Sequence, residues 1–178
     1  KDNQVIEEWL VRDNLAAAVQ LGFDPDEIAR AQANADRENA FNLVEFHADN
    51  RARAATGESL EGESGSASSI AIAALSAIWD TRDWTAATTL YDFRVAATYP
   101  GAANLYGPDQ IRDRLAPLHA AVTATDIVIE HIGEIPYLGD AKDVAIRWSL
   151  AGVHSGSGRY GPATAAPVYI LGVSQFRV

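Results

Sequence analysis

The chain is expected to fold as an α+β domain. Helices come first, then one strand and a helix, then a run of long antiparallel strands. Three stretches carry that expectation. From Val144 to His154 the residues alternate, with Ile146, Trp148, Leu150, Gly152 and His154 on one face and Arg147, Ser149, Ala151 and Val153 on the other, the two-residue period of a strand. From Ala165 to Val178 a second strand rich in Val, Ile, Tyr and Phe follows a glycine-rich turn. Asp24-Pro25-Asp26-Glu27 is a capping box with proline in the first turn, which starts a helix.

The remaining elements follow in order. Gln4 to Asp13 alternates as a strand that ends in a carboxylate, and Asn14 to Gln20 is an alanine-rich helix closed at Gly22. The helix that begins at Asp24 is expected to continue through Phe41 to Arg53, with Phe41, Val44 and Ala48 on one face and His47 exposed. Residues 56–69 (TGESLEGESGSASS) have almost nothing to bury and read as a linker. Ser69 is the expected cap of the next helix, whose stripe is Ile72, Leu75 and Trp79. Asp83 caps a short helix with Trp84, Ala87 and Tyr91 on one side. Asp92 to Tyr99 is a strand broken at Pro100-Gly101. Gly107-Pro108-Asp109 opens a helix that Pro117 should kink or split. Asp126 to Ile135 is a strand, with His131 on the face of Ile127 and Ile129, and Leu138-Gly139-Asp140 is a turn.

Composition narrows the function. A chain of 178 residues is one domain's worth, with ordinary hydrophobic (48%) and charged (21%) content. A net charge of −10 and a pI near 4.7 argue against a nucleic-acid partner, which needs a basic stripe, and against docking on anionic lipid. No apolar run approaches the roughly 20 residues of a bilayer span. The polar N-terminus has no signal-peptide pattern, and a cytoplasmic location is expected. With no cysteine there is no disulfide and no thiolate chemistry; no ligand cluster suggests a metal, and no cofactor is expected. Gly156, Gly158 and Gly161 spell GxGxxG, but the motif follows a strand and precedes another, so it is a hairpin loop. The chain has no methionine, and is expected to be processed, trimmed or cut from something longer.

The segments IAALSAIWDTRDWTAATTLY, YGPDQIRDRLAPLHAA, VAIRWSLAGVHSGSGRYGPAT and LGVSQFRV, taken in this order, resemble the SnoaL-like polyketide cyclases of the nuclear transport factor 2-like superfamily. VIEEWLVRDNLAAAVQLGFDP resembles that family's last strand and helix, here placed first. The resemblance therefore covers 4–25 and 70–178 in permuted order, as in a circular permutant or an excerpt from a tandem protein. Residues 26–55 would be a helical connection within a single domain spanning 1–178. The resemblance implies a curved antiparallel sheet wrapped around helices as a cone with an apolar cavity. It also implies a homodimer, with strand swapping as an option.

The same resemblance implies a histidine and an aspartate acting as acid and base on an apolar carbonyl compound. These map to His154, in the run Trp-x-x-x-Gly-x-His-x-Gly, and to Asp13. Trp148, Trp9, Tyr91, Tyr99, Leu150 and Ser174 are the expected pocket residues. Ser174 stands where many family cyclases have an aspartate. The bland alternatives are a rim histidine for His154, a helix cap for Asp13, and core packing for the tryptophans. His119, near a kinked helix end, is expected to be structural. The alternative function is a non-catalytic ligand-binding or dimerisation domain of the same fold.

Overall fold

A computed structural model of the chain describes residues 12–54 and 65–178. The strand expected over Gln4–Asp13, including Trp9, lies outside the described residues except for Arg12 and Asp13. The chain divides into two compact units, one of residues 1–41 with 98–104, the other of residues 42–97 with 105–178.

In the first unit, α1 (Asn14–Gln20) and α2 (Pro25–Glu38) start where local chemistry dictates. The Asp13 side chain accepts from the Ala16 N–H at 2.9 Å, and Asp24 does the same for Asp26. α2 does not run on to Arg53. It stops at Asn39, where Ala40 takes a left-handed φ of +52° and the Phe41 N–H bonds back to the Asp36 carbonyl at 2.8 Å.

In the second unit α3 (Leu43–Ala54) begins afresh, with the Asn42 side chain accepting from the Val44 and Glu45 N–H groups. Val44 and Phe46 are exposed, so the Phe41/Val44/Ala48 stripe is not the buried one. α4 (Ala67–Trp79) is capped by Ser66 rather than Ser69; Ser66 accepts from the Ser69 N–H. Its burial is wider than the expected stripe and takes in Ala71, Ala74, Ala77 and Ile78. α5 (Trp84–Leu90) has Asp83 as its cap, as expected. β1 (Ala96–Tyr99) and β2 (Ala103–Tyr106) form a hairpin whose turn, residues 100–102, belongs with the first unit. β1 is shorter than the strand expected over Asp92–Tyr99, and β2 is a strand that the sequence does not predict. α6 (Gly107–Ala121) is one helix through Pro117, so the proline does not split it.

The sheet is β3 (Val122–Pro136), β4 (Lys142–His154) and β5 (Pro167–Arg177), antiparallel in that order. β4 is central, and Val144, Ile146, Trp148 and Leu150 are all buried on the face the alternation assigned. α4 covers this face, with Trp79 packed at 4.8 Å between ring centres on Trp148. α3 covers part of the other face, where His47 lies 4.4 Å from the Tyr169 ring.

β3 breaks its own alternation. Ile129 pairs with Trp148 but His131 pairs with Arg147, so the strand carries a bulge at Glu130. The extra residue turns His131 to the face opposite Ile129, which corrects the expected grouping. It also points Glu130 at Arg147, whose Nη1 lies 2.6 Å from Oε2, both side chains almost wholly buried.

The candidate functional site

The inner face of β4 holds Trp148, Leu150 and His154, with Ser174 beside them on β5. Trp148 lies opposite Gly172 and two residues from Ser174 in register. A Cβ on residue 172 would sit 2.3 Å from the indole ring, so only glycine lets the ring lie across β5. From there the indole N–H donates to the Ser174 hydroxyl at 3.0 Å. Leu150 continues the apolar wall. His154 ends the strand on the same face, six residues or about 20 Å of extended chain beyond Trp148.

His154 is held on three sides. Its N–H donates to the Ala166 carbonyl at 2.9 Å, and its own carbonyl accepts from Ala165 at 3.0 Å. The imidazole Nδ1 lies 3.0 Å from the Thr164 hydroxyl. Nε2 is buried and has no hydrogen-bond partner among the described residues. The glycine-rich loop that follows is an irregular β4–β5 connection, as expected. The Ser155 and Gly156 N–H groups both donate to the Ala121 carbonyl at 3.0 Å, closing the end of α6. A Cβ on Gly156 would fall 1.8 Å from the Ala120 carbonyl oxygen, so this approach requires glycine.

Asp13 caps α1, the bland alternative its position allowed. Its two oxygens also accept from Gly101 and Ala102 in the hairpin turn, at 2.9 to 3.0 Å. The Gly101 and Ala16 hydrogen bonds, foremost, hold its pKa below the ordinary 3.8. Tyr91 closes α5 with its ring 6.5 Å from Phe176, which pairs with Val144 at the end of the sheet remote from His154. Tyr99 ends β1, and burial pushes its phenol up to about 12.

Of the two remaining histidines, His47 is not the exposed side chain expected, and His119 is packed as a structural residue would be. His47 stacks on Tyr169 instead of standing in solvent, because the inward side of α3 is polar and matches the charged Glu130–Arg147 layer beneath it. His119, in the last turn of α6, lies between Trp79 and Trp84, 5.4 and 5.9 Å from their ring centres. Trp79 joins it to Trp148, and α6 runs into Val122, the β3 partner of His154. His119 is thus one ring removed from Trp148, and it precedes by three residues the register partner of His154. Burial first, and the Arg82 charge second, push its pKa down to about 4. Its Nε2 is also buried without a partner among the described residues. The signal in the sequence was the aromatic spacing of Trp79 and Trp84 on adjoining helices, but nothing local ties either to position 119.

Chemically, the second unit offers apolar aromatic surroundings and two partly buried imidazoles, His154 on β4 and His119 on α6. Among the described residues no three His, Cys, Asp or Glu side chains are grouped to hold a metal ion, and no helix is long and apolar enough to cross a membrane.

The SnoaL-like domain family matches residues 72–178, more than half of the chain. No curated protein matches it. Among solved structures, a crystal structure from Shewanella denitrificans OS-217, described as a SnoaL-like polyketide cyclase, is similar to 60% of this chain and 74% of its own, with a TM-score of 0.43 and 19% identity. The helices and antiparallel sheet, with the match over α4 to β5, make this chain a member of the SnoaL-like family in the nuclear transport factor 2-like superfamily.

Proposed function

We propose that the chain is a small-molecule lyase, isomerase or cyclase that acts on an apolar carbonyl compound, with His154 as the group that moves the proton. One observation carries this reading: Nδ1 of His154 is oriented by Thr164 while Nε2 is buried and unpartnered. A neutral imidazole so held has its free lone pair or N–H at Nε2. As base, Nε2 takes a proton from the carbon next to the carbonyl, leaving an enolate. The imidazolium then returns a proton to carbon or to the leaving oxygen, which closes the cycle without net oxidation. Asp13 belongs to the scaffold in this reading, because its oxygens serve three backbone N–H groups. A homodimer, and residues 4–25 as the family's last strand and helix, go with the same proposal.

A second reading, a non-catalytic ligand-binding or dimerisation domain, is favoured by Ser174. Its hydroxyl is engaged by Trp148 and supplies no carboxylate. Incubation with 2-tetralone in D2O separates the two. Deuterium entering next to the carbonyl faster than in buffer, followed by mass spectrometry, supports the enzyme. Binding without exchange supports the second reading.

A further inference from the structure

We infer that His119 sets the specificity of this site: its Nε2, set among Trp79 and Trp84, hydrogen-bonds the carbonyl oxygen of a flat apolar ketone. The inference rests on the small-molecule reading above, but assigns a residue and a ligand feature that His154 does not supply.

Two indoles surround the His119 ring. Trp84 lies 34° from coplanar with the imidazole and Trp79 meets it edge-on at 75°. Trp79 in turn is tilted 38° against Trp148. A polar nitrogen within such aromatic walls, with no protein partner for Nε2, matches a flat apolar molecule bearing one polar atom.

The platform is rigid. Arg82 donates to the His119 carbonyl at 2.7 Å and to the Val122 carbonyl at 2.5 Å, and Ser155 and Gly156 donate to Ala121. The end of α6 is thus fixed from two sides, and the imidazole is placed by backbone contacts rather than by the ligand.

The charge state agrees. At neutral pH an imidazole titrating near 4 is uncharged. It offers an N–H to an oxygen without placing a cation among the indoles, and a neutral imidazole suffices to polarise a carbonyl. The Arg82 guanidinium disfavours a second positive charge at this point.

The test compares 9-fluorenone with fluorene, the hydrocarbon of nearly the same shape that lacks the oxygen, by calorimetric titration of the full chain. Wild type is expected to bind the ketone about tenfold or more tightly than the hydrocarbon, since a site built to hydrogen-bond rejects an analogue lacking the group. In His119→Phe the two should bind alike, and in His119→Gln, which keeps an N–H donor, part of the preference should return. Should His119→Phe fail to fold, the 15N resonance of His119 Nε2 in wild type decides: it should move with fluorenone and stay with fluorene. Equal binding of both probes by wild type, a preference that survives His119→Phe, or an unmoved resonance overturns the inference, as does binding of neither. A ketone preference lost with His119 in a protein that never exchanges deuterium into 2-tetralone would sink the enzymatic reading and leave this one standing.

Discussion

The Trp148 indole donates to the Ser174 hydroxyl across the β4–β5 pair at 3.0 Å, and Gly172 is what lets it reach. Gly172→Ala places a methyl group 2.3 Å from the ring atoms and is expected to cost about 1–3 kcal/mol, the usual range for overpacking a filled core. Ser174→Ala leaves a half-buried N–H without its acceptor, for about 1–3 kcal/mol. Urea unfolding followed by tryptophan emission measures both. Wild-type midpoints in both variants would show that the ring is not held there.

Much of the fold was legible because its signals are local. Asp13, Asp24, Asp83 and the proline after Gly107 each announce a helix within four residues, and β4 carries buried apolar residues at every second position from Val144 to Leu150. What escaped depends on single residues with no local signature. The bulge at Glu130 adds one residue to β3 and reverses His131. The break between α2 and α3 uses Ala40 in a left-handed conformation that glycine or asparagine would have advertised. The aromatic setting of His119 escaped because it lies in contacts with two other helix ends, and the packing of His47 because a charged helix face looks solvated until its charged counterpart on the sheet is known.

The buried Glu130–Arg147 pair gives a sharp thermodynamic expectation. Arg147→Met strands a carboxylate whose side chain is 0% exposed, and removing one partner of a buried pair costs about 3–5 kcal/mol. Glu130→Leu combined with Arg147→Met should recover most of that loss. A double variant no better than Arg147→Met, by urea titration, would show that the pair does not act as a unit.

Asp13 should matter for structure at acid pH. Its folded pKa lies below the ordinary value, so its contribution is complete above about 3.8 and disappears as pH falls through the folded value. Asp13→Ala is expected to speed amide exchange at Ala16, Gly101 and Ala102 at pH 6, and to flatten the acid limb of the stability curve below 3.8. Unchanged protection at Gly101 and Ala102 would remove Asp13 from the turn.

His119 acts on the acid side too, but at higher pH. Its pKa falls from 6.5 to about 4 on folding, so the unfolded chain takes up a proton that the folded one refuses. Stability is complete above 6.5 and declines as pH drops from 6.5 towards 4. His119→Phe should reduce the difference in urea midpoint between pH 7 and pH 5. An unchanged difference would mean that the ring is solvated.

The most direct test of His154 is the rate of deuterium entry into 2-tetralone, measured across pH 5 to 9 in wild type, His154→Gln and Thr164→Val. A single general base is worth roughly 10²–10⁴-fold, so His154→Gln should lose at least about a hundredfold in rate. Thr164→Val should keep measurable exchange at a reduced rate, because only the orienting hydroxyl at Nδ1 is gone. Exchange that persists at the wild-type rate in His154→Gln, with an unchanged pH profile, would contradict the assignment of proton transfer to this histidine.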